Sequence, residues 1–261
     1  MTLGVVFDLD DTLYLERDYV RSGFTAIAVA VADAVGEDPD TISRLLWNAF
    51  ETDQRGGSID RLLQRFPTLA DQYSLPDLLR IYRYHSPDIA PLPGMHELLV
   101  QLSDGGIWLG LLTDGERTRQ ELKLTALGVD QLFSVCIFTD DWGRDHWKPN
   151  PHGFEEIERR WPLQRGRLVY VGDNPLKDFA APRARGWQTI RLRTPGQITA
   201  DLEAKAEQVG AAHEVDGPAA LMTVLRTVDD EAYVPMRSGR DDSERAGSEI
   251  GGAAPRGGGH A

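Results

Sequence analysis

Asp8-Leu9-Asp10-Asp11-Thr12 sets acid against acid directly behind the apolar run Leu3-Gly4-Val5-Val6-Phe7. Thr113-Asp114-Gly115 follows a second apolar run, Ile107–Leu112. A third, Leu168–Val171, runs into Gly172-Asp173-Asn174-Pro175-Leu176-Lys177-Asp178, and Lys148-Pro149-Asn150-Pro151 lies before it. Three or more carboxylates brought together repel one another unless a cation sits among them, and an all-oxygen ligand set suits Mg²⁺. A carboxylate can attack phosphorus and form an aspartyl-phosphate. A second carboxyl two residues away can protonate the leaving alcohol and later deprotonate water. A hydroxyl, an ammonium and backbone N–H groups can hold the non-bridging oxygens. Phosphoryl transfer is the chemistry this set supports. In an extended strand, residues i and i+2 would point the same way.

The elements that must position these groups follow from periodicity. Leu3–Phe7 reads as a buried strand of a parallel sheet. Further on, strands are expected at Ile107–Leu112, Phe133–Phe138, Leu168–Val171 and Thr189–Leu192. They alternate with helices over 95–104, 116–127, 152–161 and 176–185. That alternation predicts βαβ units and a Rossmann-like α/β core. In such sheets ligands bind beyond the carboxyl ends of the strands, where every acidic segment falls. Residues 15–89 differ. Phe24, Ile27, Ala28 and Val31, then Ile42, Leu45, Leu46 and Ala49, then Leu62, Leu63 and Phe66, then Leu75, Leu78, Leu79 and Tyr82 give four amphipathic stripes and no strand. This block reads as a helical bundle inserted in the core. The expected organisation is therefore 1–14 and 90–228 as the α/β core, 15–89 as a helical cap, and 229–261 as a disordered, Gly-rich polar tail.

Together Asp8-x-Asp10-x-Thr12, Thr113, Lys148 and Gly172-Asp173-(x4)-Asp178 resemble the four motifs of the haloacid dehalogenase superfamily of hydrolases, in order and over residues 5–178. The 15–89 block is similar in place and type to that family's small helical cap. The resemblance implies Asp8 as nucleophile and Asp10 as general acid/base with its backbone carbonyl on the metal. It implies Thr113, Asp114 and Lys148 at the phosphate, and Asp8, Asp10, Asp173 and Asp178 around Mg²⁺. Asp178 positions Lys148 or a metal-bound water in this scheme. The family's dehalogenases lack an aspartate at the Asp10 position, so Asp10 favours phosphotransfer. The stretch Thr139–Trp147 before Lys148 is longer than the family's usual approach to that lysine.

The expected activity is a Mg²⁺-dependent phosphatase acting on a small phosphorylated metabolite. A sugar phosphomutase uses the same chemistry. A receiver-type phospho-acceptor also combines acids, a threonine and a lysine, but it would carry no helical block after its first strand. The net charge of −13 opposes non-specific binding to nucleic acid or an anionic membrane. One cysteine excludes an internal disulfide framework. With no basic, apolar leader and no long apolar run, a cytoplasmic protein is expected.

Overall fold

The computed structural model describes residues 3–53, 57–163, 167–205 and 209–231. Strands β1 (Gly4–Phe7), β2 (Trp108–Thr113), β3 (Val135–Phe138), β4 (Leu168–Gly172), β5 (Gln188–Leu192) and β6 (His213–Val215) form one sheet in the order β3-β2-β1-β4-β5-β6. Every pairing is parallel. Because β1 lies between β2 and β4, the chain reverses its direction of growth at β1, and a crevice opens there at the carboxyl ends.

Period-two alternation splits the strand residues between two faces. Val5, Phe7, Leu111, Val169, Val171 and Ile190 pack on one side with Leu98, Leu99 and Leu102 of α5 (Met95–Asp104) and Leu124 of α6 (Arg117–Leu127). Val6, Leu112, Ile137 and Tyr170 pack on the other with Phe154, Ile157 and Trp161, the first two on α7 (His152–Arg160). Trp161 lies so close to the sheet that a Cβ on Gly110 would come within 2.9 Å of its ring.

The inserted block forms helices α1 (Glu16–Val35), α2 (Pro39–Asp53), α3 (Ser58–Arg65) and α4 (Leu75–Tyr84). They enclose a separate apolar core that includes Phe24, Ile27, Ile42, Leu46, Leu62 and Leu78. The chain segments entering and leaving this block are tied together by the Leu92 N–H, which donates to the Leu13 carbonyl at 2.8 Å.

Several expectations change. The helix expected over 176–185 is only α8, Ala180–Ala184, and the residues before it form the turn that carries Asp178. Pro182 is tolerated because it falls in the first turn, where backbone N–H groups have no intrahelical acceptor. Thr189–Leu192 is not the last strand, since β6 adds a short edge of which only Val215 is buried. A further helix, α9 (Pro218–Glu231), packs Leu221, Leu225 and Val228 on the core. It carries the ordered chain past the tail boundary placed at 229, and the rest of the expected tail, 232–261, lies outside the described residues. The long approach to Lys148 is filled by two 3-10 turns, Thr139–Trp142 and Arg144–His146. Among the described residues no helix is long and apolar enough to cross a membrane.

Candidate active site

Asp8 leaves the end of β1, its N–H held by the Val171 carbonyl at 2.9 Å, so the first acid is fixed to the neighbouring strand β4. Its carboxylate meets the Lys148 ammonium at 2.9 Å. The same ammonium reaches Asp178 Oδ1 at 2.8 Å and donates to the Tyr170 hydroxyl at 2.7 Å. All four side chains are buried. Asp173, at the end of β4, accepts from Thr12 Oγ1 at 3.3 Å and from the Thr199 hydroxyl. One carboxylate oxygen from each of Asp8, Asp173 and Asp178 falls within 4.8 Å of the others.

The charge balance of this cluster is unusual for a protein interior. Burial pushes the Asp8 carboxyl up to about 6, although Lys148 and Lys177 pull it down. Burial, followed by repulsion from Asp178 and Asp8, raises Asp173 well above the usual carboxylate range. Burial opposes the Lys148 charge, but Asp178 and Asp8 outweigh it and hold the ammonium protonated. A dry site with more carboxylates than ammonium groups in contact is stabilised by a cation, so these residues fit a hard divalent ion. Asp178 has both oxygens engaged, Oδ1 by Lys148 and Oδ2 by the Asn174 N–H at 2.8 Å. Asp173 is likewise held at both oxygens, by Thr12 and Thr199, and Asp8, Asp173 and Asp178 each offer one oxygen to a common ion.

Asp10 does not share this cluster. Asp11 adopts a left-handed conformation (φ 54°), which an aspartate tolerates better than most residues. Its carboxylate is fixed by the N–H groups of Glu16 (2.8 Å) and Ile198 (2.6 Å). The turn ends the strand alternation, so Asp8 and Asp10 have different partners rather than a common direction. Asp10 Oδ1 accepts from Lys123 Nζ at 2.7 Å and from the Tyr14 hydroxyl, and Oδ2 accepts from Gln120 Nε2 at 3.0 Å. Burial works against the Asp10 charge, but Lys123, Tyr14 and Gln120 bring its carboxyl down to about 2.

The Thr113 hydroxyl accepts from Gln120 Nε2 at 2.7 Å and is 1% exposed at the end of β2. Asp114 was expected among the phosphate-binding residues. Its carboxylate accepts from Thr139 Oγ1 (2.7 Å) and the Lys148 N–H (3.1 Å) and pairs with Lys177 Nζ (3.2 Å). That side chain ties together Thr139, the Lys148 backbone and the Lys177 ammonium, and leaves the Asp114 backbone N–H beside Thr113 at the end of β2. Sequence reasoning passed over Tyr14, Gln120, Lys123, Tyr170, Lys177 and Thr199. Gln120 and Lys123 share a helix face at i, i+3, the one signal that could have paired them. Thr199 arrives on a loop after β5 with no local signature.

Gly172 is required by this packing. A Cβ there would stand 2.6 Å from Asp178 Oδ2. We expect Gly172→Ala to displace Asp178 from Lys148 and to cost about 1–3 kcal/mol as an overpacked site. Thermal unfolding and turnover measured together check this, and both should fall.

The model of the family described as haloacid dehalogenase-like hydrolase matches residues 5–192. A glyceraldehyde 3-phosphate phosphatase from Methanopyrus kandleri is 30% identical over 234 residues, covering 87% of this chain and 98% of that protein. A validoxylamine A 7'-phosphate phosphatase from Streptomyces hygroscopicus subsp. limoneus is 34% identical over 152 residues, covering 58% of this chain and 63% of that protein. A solved structure of a HAD phosphatase from Thermococcus onnurineus superposes with a TM-score of 0.54 at 22% identity, covering 86% of this chain and 98% of that one, and so shares the fold.

Proposed function

Because the chain belongs to the haloacid dehalogenase-like hydrolase family, we propose that it is a Mg²⁺-dependent phosphatase that hydrolyses a small phosphomonoester through an aspartyl-phosphate on Asp8. The observation that carries this reading is the Lys148 ammonium lying 2.9 Å from Asp8 and 2.8 Å from Asp178, beside a third buried carboxylate, Asp173. Relatives named as phosphatases of glyceraldehyde 3-phosphate and validoxylamine A 7'-phosphate support a small phosphorylated substrate.

In this reading an Asp8 oxygen attacks phosphorus, and the P–O bond to the alcohol breaks. The departing oxygen takes a proton from Asp10. Water then attacks the aspartyl-phosphate, Asp10 accepts its proton, and inorganic phosphate leaves with the Asp8 carboxylate restored. Lys148 and the Thr113 hydroxyl face the phosphoryl oxygens, while Asp178 and Asp114 orient Lys148. With its carboxyl held near 2, Asp10 is ionised before substrate arrives. That is the form the second half-reaction needs, and a dianionic phosphate beside it favours the protonated form needed in the first. Asp8, Asp173 and Asp178 would hold Mg²⁺, with the Asp10 carbonyl as the family resemblance implies. The ion would supply positive charge that lets an anionic phosphate approach an anionic nucleophile. The helical cap, 15–89 by our division, limits access to small esters and excludes water during transfer.

Hydrolysis of p-nitrophenyl phosphate is the direct test: turnover with Mg²⁺ and its loss in EDTA support the reading, and equal rates overturn it. A screen of phosphate release from sugar phosphates and nucleoside monophosphates then identifies the substrate.

Stability should depend on pH and Mg²⁺ together. Asp8 and Asp11 each titrate near 6 in the folded protein, above the usual 3.8, so the native state binds more protons than the unfolded chain. Metal-free stability therefore falls as pH rises from about 4 to about 6. Asp10 has the opposite sign, and its contribution is lost only as pH falls from about 4 towards 2. Saturating Mg²⁺ should raise the melting temperature more at pH 7 than at pH 4.5. The expected gain at a hundredfold excess over Kd is about 2.7 kcal/mol. A shift of equal size at both pH values would show that the carboxylates do not hold the ion.

A further inference from the structure

We infer that Lys123 is a positioning residue for the acid/base carboxylate, holding Asp10 in place and tying it to the first cap helix through the Tyr19 ring. The inference rests on the phosphatase reading and assigns a role that the four motifs do not contain. Lys123 lies on α6, 6% exposed, with its Nζ 2.7 Å from Asp10 Oδ1. A buried ammonium is costly unless a carboxylate pairs with it, and Asp10 is its ion-pair partner among the described residues. The same Nζ stands 4.4 Å from the centre of the Tyr19 ring, a favourable cation–π distance. The Tyr19 hydroxyl donates to the Arg83 carbonyl at 3.1 Å, so the ring spans from α1 to α4 within the cap block. One ammonium thus joins a core helix, the acid on the linker and a cap aromatic.

Neighbouring contacts give the arrangement a direction. Gln120, on the same helix face, donates to both Asp10 Oδ2 (3.0 Å) and Thr113 Oγ1 (2.7 Å). Tyr14 closes Oδ1 from the linker side. The carboxylate is therefore held from both of its oxygens, and its orientation follows α6. If the cap moves relative to the core, Tyr19 moves against the group that Lys123 steers. A side chain that orients the proton donor contributes most when the leaving oxygen needs a proton.

The test compares kcat/KM for propyl phosphate, whose alkoxide must be protonated, with that for 2,4-dinitrophenyl phosphate, whose leaving group departs without help. With Mg²⁺ present, Lys123→Met should lower the propyl phosphate value at least tenfold and the dinitrophenyl value less than about threefold, because general acid catalysis contributes roughly 10²–10⁴. Lys123→Arg should recover part of the loss. Equal losses on the two esters, or no loss on either, overturn the assignment. Circular dichroism melting checks that the variant is folded, and Lys123→Gln is read by the same criteria if Lys123→Met is not. Wild-type protein inactive on both esters overturns the phosphatase reading itself, and with it this role. Selective turnover by wild type without selectivity in the variant ratio removes Lys123 alone.

Discussion

Asp8→Asn eliminates Mg²⁺-dependent phosphate release, with kcat falling by about 10⁴ or more, the scale on which removing a nucleophile acts. The amide is nearly isosteric, so Lys148 keeps a neighbour of similar shape and can still donate to the amide oxygen. What disappears is the anionic oxygen that bonds to phosphorus. Asp8 is 2% exposed and its folded carboxyl titrates near 6, above the unfolded value. Neutralising it therefore relieves repulsion at pH 7, and the variant should melt at the same temperature as the metal-free wild type or higher. Loss of activity with retained or increased stability is the expected pair. Residual Mg²⁺-dependent turnover above about one per cent of wild type would show that another group attacks phosphorus.

Lys148→Met has the second largest effect, and it acts on folding as well as on catalysis. The ammonium contacts two buried carboxylates and a buried tyrosine hydroxyl. Removing it leaves Asp8 and Asp178 facing each other without the ammonium that contacts both, and with the Lys177 charge further off. Breaking a buried pair in this way costs about 3–5 kcal/mol. In a chain of this length each kcal/mol moves the melting temperature by roughly 2–4 °C, so a fall of about 6–20 °C is expected. Turnover should be lost with it. Adding Asp178→Asn to the variant removes one of the stranded charges, so the double variant should regain part of the stability and none of the activity. Simple addition of the two stability losses would mean that Lys148 and Asp178 are not energetically coupled.

The core was legible because its chemistry coincides with strand ends. Buried runs such as Val5-Val6-Phe7 and Leu168–Val171 stop abruptly at acids, and a parallel sheet places those ends on one edge. Asp8, Lys148, Asp173 and Asp178 accordingly meet. The environment of Asp10 was not legible, because it depends on the left-handed turn at Asp11 and on the rotational phase of α6. Period-two reasoning fails where a strand ends. Lys123 and Gln120 look like ordinary polar helix residues until their face is known, and burial is not written in their residue types. The short strand β6 has one buried residue and therefore no alternation to detect. The engaged carboxylate of Asp114 was equally hidden, since its partners Thr139, Lys148 and Lys177 come from three different segments.

The central position of β1 also bears on how the chain reaches this structure. The strand is made first, but its hydrogen-bonding neighbours are β2, beyond the inserted helices, and β4, later still. The inserted helices close their own apolar core through short-range contacts. They can therefore condense early, while β1 waits with both edges unsatisfied. Contact order is high for the sheet and low for the bundle, so sheet assembly sets the folding rate. On the ribosome, an early apolar strand with two open edges is the segment most exposed to wrong pairing. Folding the bundle first shortens the effective loop between β1 and β2 and lowers the entropy lost when they meet.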